Sequence, residues 1–441
     1  MDNKNFPIKV TFGLLLAISA YLAILSLSYN EMNNGVSLAI ASIAGLVAIS
    51  LFYYIFRAHL PKKILFYAIF FYMLRLSIGV FHYLYFFDGE YLNSTNSDFY
   101  YLAEYIWMFE SMDVFSQGLS GDMEADLVQG YADSNKNYEM LLAMSLIFLI
   151  GGTKILSVAT LNSLVTILAA YILYFISYRV NKNIKNASFC FFIVCLQPFE
   201  IITSILARDT AGQFLILYAV FLVVFYYRLG IFKIFITILA SWLSSLHREV
   251  YFFIPLISGF ASSFIYDLIY NFNRFKKSNL VILLFIAFFG ILTINYLIEV
   301  FLGRFLDINF LSKIVGLPIS FFYALVGPFP WSQIFMDVPG VEFHLPQYLT
   351  SSFNICFYIS LILFLSNKSP NEMQLVIIIF FLLYFLSGTL VYGGKHTVYY
   401  SIAIPLLAIL DIHSNKFLLL QRFFMITMGF IILTLMYDNL L

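Results

Sequence analysis

Asp98 is the residue best placed to do chemistry. It lies in Asn96-Ser97-Asp98-Phe99-Tyr100-Tyr101-Leu102-Ala103-Glu104-Tyr105-Ile106-Trp107, where Ser97 or Asp98 reads as a helix N-cap. The aromatic residues after it read as an amphipathic helix at a membrane interface. A carboxylate at that level can take a proton from a hydroxyl; a plain capping role is the other reading. The surrounding loop, 88–139, carries eleven acids and a single lysine, Lys136. Cations stand elsewhere, at short turns beside apolar runs: Arg208-Asp209, His247-Arg248-Glu249 and Lys395-His396, with Arg304 in a second long loop, 302–348. Acids in one loop opposite cations at helix ends are the layout of a site that activates a hydroxyl and holds a phosphate. Taken singly, most of these acids read as solvated loop charge. The cations also read as helix-end charges, and His247 and His396 as packing residues.

Two further features bear on the same site. Gly327-Pro328-Phe329-Pro330-Trp331 cannot continue a helix. It gives a rigid aromatic corner whose Trp331 suits either a sugar face or an interfacial anchor. No second acid stands beside Asp98 in an Asp-x-Asp pair, so the position is a poor site for a hard cation, and no metal or other cofactor is expected. Cys190, Cys195 and Cys356 all lie in apolar runs and read as buried filler.

Composition dictates the scaffold around these residues. Of 441 residues, 62% are hydrophobic and 11% charged, with 24 Lys and Arg against 24 Asp and Glu. A soluble domain is about 25% charged. This composition excludes a disordered chain, a disulfide scaffold, a nucleic-acid binder and a water-soluble enzyme. What remains is an all-α, polytopic transmembrane helical bundle forming one integral-membrane domain over 1–441. Apolar runs predict about 13 spans: 10–29, 36–56, 64–87, 155–178, 187–206, 210–227, 231–246, 251–270, 280–301, 349–366, 373–392, 397–412 and 421–437. The shorter run 140–152 reads as an interfacial or re-entrant helix, and Ile314–Val326 as a second partly inserted one. The first run has no convincing cleavage site and reads as a retained helix, not a signal peptide. With the N-terminus in the cytoplasm, sixteen of the 24 Lys and Arg fall inside, seven outside, and Arg75 within a span. That sets a cytoplasmic N-terminus, with 88–139 and 302–348 as the long outward loops.

In these features the chain resembles the GT-C superfamily of integral-membrane glycosyltransferases. The likeness lies in Asp98-Phe99-Tyr100-Tyr101 in the first outward loop and in Tyr138–Gly152 with its Gly151-Gly152 turn. It continues in the span ending Tyr178-Arg179 and in Gln197-Pro198-Phe199-Glu200 before Ala207-Arg208-Asp209-Thr210. Late in the chain, Gly393-Gly394-Lys395-His396-Thr397-Val398-Tyr399-Tyr400 precedes Pro405. It covers roughly residues 64–230 and the late segment. Two spans before the acidic loop, and the missing acid pair, depart from the usual pattern. The resemblance implies Asp98 as general base toward an acceptor sugar hydroxyl, and a donor sugar on a polyprenyl phosphate or diphosphate. Arg208, Arg248, Arg304, Lys395 and His396 would hold the phosphate, and Tyr101, Asp209, His247 and Trp331 would contact substrate.

Wzy-type polymerases of O-antigen and capsule are a close neighbour, with two long outward loops and lipid-linked substrates. Arg248 is followed eleven residues later by Gly259, a spacing similar to their arginine–glycine motif. Either resemblance implies sugar transfer at the outer face of the cytoplasmic (inner) membrane, in assembly of surface polysaccharide. The partners implied are the lipid-linked donor, a lipid-linked or glycan acceptor, membrane lipid and other proteins of polysaccharide assembly. A transporter or flippase for lipid-linked oligosaccharides is a different class. It calls for ionisable residues at mid-span, where this chain offers only Arg75. A membrane acyltransferase would need a histidine within a span, for which only His82 stands.

Overall fold

The computed structural model describes residues 5–31, 33–86, 150–151, 155–198, 208–226, 231–247, 249–270, 344–367, 369–392, 403–410 and 416–438. These residues are mostly helical and contain no strand. In chain order the helices are α1 (Phe6–Leu25), α2 (Asn34–Phe56), α3 (Lys62–Phe86), α4 (Ile155–Asn181), α5 (Ile184–Leu196), α6 (Arg208–Tyr226), α7 (Ile231–His247), α8 (Phe253–Tyr270), α9 (His344–Asn367), α10 (Glu372–Tyr392) and α11 (Lys416–Asp438). Among the described residues, five stretches are long and apolar enough to cross a membrane: Phe6–Ser28, Gly35–Phe56, Lys62–Phe81, Ala159–Asn181 and Leu349–Ser366. Five more apolar helical stretches are shorter, from Ile184–Leu196 to Leu419–Ile432.

Burial is the reverse of a water-soluble bundle. The three N-terminal spans are only 33–39% buried, and Ile8, Phe12, Phe66 and Phe81 are exposed, whereas Ala159–Asn181 is 89% buried. Large side chains exposed along whole helices need an apolar solvent. The polar Thr160, Asn162, Ser163 and Thr166 sit instead on the buried helix. All three cysteines are buried, as their apolar runs imply.

The chain divides into two compact units. The first comprises Met1–Tyr171, Val194–Leu196 and Glu200–Phe214. Here α1 and α2 pack closely because small residues let the backbones approach: Ala17, Ala41, Ala44 and Ala48 are fully buried, and a Cβ at Gly13 would lie 2.7 Å from the Phe56 ring. Asn33 caps α2, accepting from Gly35 N at 2.9 Å and Val36 N at 3.3 Å. Tyr72 of α3 lies over Gly45 and donates to the Ser42 carbonyl at 3.3 Å. Tyr21 and Thr160 share a buried hydrogen bond of 2.7 Å that ties α1 to α4. Tyr21→Phe removes it, and the unfolding free energy is expected to fall by about 1 kcal/mol, measured by chemical denaturation in mixed micelles.

The second unit comprises Ile172–Ile193, Gln197–Phe199 and Leu215–Leu441. Its packed pairs are α7 with α8, α8 with α10, and α9 with α11. Helix α7 exposes Phe235, Ile238, Leu239 and Trp242 and buries Thr237, Ala240, Ser241 and Ser244. Between α4 and α5, Lys182 turns the chain at φ 52° and Asn183 caps α5. Burial, and then the neighbouring Arg179 charge, hold the Lys182 amine below its ordinary value. Asn371 and Gln374 exchange hydrogen bonds of 3.0 and 2.8 Å in a reciprocal cap of α10.

Two expected spans are corrected. The run 187–206 is not one helix: α5 stops at Leu196, and Gln197 takes φ −57°, ψ 120°. The cause is Pro198, whose ring disfavours helical backbone at the preceding residue. The described part of the run 397–412 is a 3-10 helix, Ile404–Ile409, opened by Pro405 and wholly buried. Its last carbonyl, on Ile409, accepts from the amides of Asn181 and Asn186, which satisfies backbone that an α-helix would have paired internally. The span 251–270 likewise begins as a 3-10 turn, Glu249–Phe252. Of 140–152, residues 150–151 are helical; the run 280–301, the segment Ile314–Val326 and His82's side chain lie outside the described residues.

Candidate functional site

Asp98, Tyr101, Arg248, Arg304, Trp331, Lys395 and His396 lie outside the described residues. The remaining three candidates stand at helix ends. Arg208 and Asp209 open α6, and His247 closes α7. The side chains of Arg208, Asp209 and His247 lie outside the described ones. The first turn of α6 is the positive end of the helix dipole, which favours an anion. Just inside, Thr210 and Gln213 are buried one turn apart, so the polar start of α6 extends inward from its tip.

A second polar group occurs within the first unit. Arg75 is fourteenth of the 25 residues of α3, about 20 Å from the helix start. It is 1% exposed. A guanidinium at mid-depth is costly unless its donors are engaged. Cys195 lies within electrostatic reach of it, and Tyr171 in turn within reach of Cys195. The hydroxyls of Ser163 and Thr166 bond back to the Ala159 and Asn162 carbonyls at 2.9 and 3.0 Å. The side-chain amide nitrogen of Asn162 finds no acceptor among the described residues. The group's signal in the sequence was one Arg in an otherwise apolar run; the proximity of Cys195, 120 positions away, has no local signal.

Among the described residues, no three His, Cys, Asp or Glu side chains gather as a metal site would require. Compared with family models, with curated proteins and with solved structures, the chain finds no match in any of the three.

Proposed function

We propose that this protein is an integral-membrane glycosyltransferase that takes sugars from a polyprenyl phosphate or diphosphate carrier at the outer face of the cytoplasmic membrane, in surface-polysaccharide assembly. The observation that carries the reading is Arg208 at the first turn of α6. There a guanidinium-bearing residue and the positive end of a helix dipole together suit a phosphate. Asp98 takes the proton of the acceptor hydroxyl as that oxygen attacks the anomeric carbon. The bond from that carbon to the phosphate oxygen breaks, and the phosphate leaves with its electron pair. Arg208, Arg248, Arg304, Lys395 and His396 neutralise the departing charge; Tyr101, Asp209, His247 and Trp331 hold the sugars. In the polymerase form of the same reading, donor and acceptor are both lipid-linked repeat units.

Replacing Arg208 by Ala is expected to lower turnover roughly 10²–10³-fold, with Lys restoring part of it. The check is glycan yield in cells at matched protein level. A ladder collapsed to one repeat identifies a polymerase, and a missing side-branch sugar a single-sugar transferase. Unchanged glycans would remove Arg208 from the site.

A transporter or flippase for lipid-linked oligosaccharides is the second reading. It is favoured by Arg75 at mid-depth and by the break in α5 at Gln197, because interrupted helices and buried ions mark transport sites. A transporter moves its cargo intact, so the chemistry of the product separates the two.

A further inference from the structure

The first unit carries a feature that sugar transfer does not use. On one face of α2, Ile43, Leu46, Val47, Ser50, Leu51 and Tyr54 line an open trough of about 480 Å³. Ile43, Val47 and Tyr54 are exposed, so apolar surface forms its walls. The trough ends at a cation. Arg57 follows the last turn of α2, and its guanidinium carbon sits 4.8 Å from the centre of the Tyr54 ring, within cation–π range. Among the described residues, the charged side chains at this end of the unit are cationic: Lys9 lies in the first turns of α1, Arg57 at the end of α2, and Lys62 and Lys63 at the start of α3. Glu31, in the α1–α2 connection, lies at the opposite end.

We propose that this trough is a binding site for an anionic phospholipid, with one acyl chain along α2 and the phosphate on Arg57. Length selects the occupant. Ile43 to Tyr54 spans about 17 Å of helix, close to the roughly 15 Å thickness of one leaflet's hydrocarbon. An acyl chain fills that length, and a longer isoprenoid chain overruns it. Charge selects the headgroup, since a cationic helix end attracts anionic lipid. The fit is independent of the catalytic reading, because neither Asp98 nor the phosphate-binding cations take part.

The test is native mass spectrometry of the full-length protein in detergent, titrated with phosphatidylglycerol or phosphatidylcholine. Wild type is expected to retain phosphatidylglycerol in preference to phosphatidylcholine. Arg57→Gln removes the charge at an exposed position beyond the helix end, and Val47→Trp fills the trough without altering charge. Each is expected to weaken retention of phosphatidylglycerol about fivefold. Equal retention of phosphatidylglycerol by wild type and both variants would overturn the proposal. So would equal retention of the two lipids by wild type, or tighter retention of a polyprenyl phosphate than of phosphatidylglycerol.

Discussion

Cells carrying Asp98→Asn at matched protein level are expected to make roughly 10²–10⁴-fold less product glycan than wild type, the range that a positioned general base contributes. Asn keeps the size and the capping ability of Asp, so a helix that Asp98 merely caps would survive the change. The amide cannot take a proton. Loss of product with normal protein abundance therefore separates a base from a cap. Asp98→Ala supplies the complement: a capping role predicts lower abundance for Ala and unchanged abundance for Asn, and a base predicts loss of glycan in both. Unchanged glycans in Asp98→Asn would count directly against the base assignment.

The second large effect is on folding. Gly45→Leu is expected to destabilise the first unit by about 3 kcal/mol, at or above the upper end for overpacked cores. A Cβ there would overlap the Tyr72 hydroxyl, and Tyr72 is wholly buried with its hydroxyl bonded to the Ser42 carbonyl. The ring has nowhere to go without breaking that bond and parting α2 from α3. Gly429 in α11 is a control, because a Cβ there meets nothing within 4 Å. Gly429→Leu is expected to be neutral or to stabilise by up to about 1 kcal/mol, since Gly is a poor helix former. Adding Tyr72→Ala to Gly45→Leu should recover part of the loss. Thermal unfolding followed by monomer recovery in detergent checks all three variants. Equal behaviour of Gly45→Leu and Gly429→Leu would show that α2 and α3 leave room for a side chain at Gly45.

Helix positions were legible because lipid-facing helices must be apolar along their length. The runs 36–56, 155–178 and 231–246 correspond to α2 (Asn34–Phe56), α4 (Ile155–Asn181) and α7 (Ile231–His247). Hydropathy carries no information about backbone conformation, so it overran Pro198 and extended α5 past its true end at Leu196. It likewise read the buried 3-10 turn at Ile404–Ile409 as part of a span. Both breaks fall at prolines, where the missing N–H and the ring outweigh the apolar character of the neighbours. The Asn181 and Asn186 contacts with the Ile409 carbonyl could not be read in advance, because more than 220 residues separate the partners. The candidate site was legible only as residue types at helix ends. Arg208, Asp209 and His247 do stand at such ends, because a charge is cheapest where an apolar helix leaves the hydrocarbon.

Sugar transfer from a lipid carrier is tested most directly by reconstituting the purified protein in vesicles with a polyprenyl-phosphate-linked sugar and an acceptor glycan. Sugar-free polyprenyl phosphate, which requires breakage of the sugar–phosphate bond, should appear in step with elongated acceptor, and Asp98→Asn should suppress both. Lipid-linked sugar that crosses the bilayer intact, with no acceptor extended, would contradict the account and leave a transporter in its place.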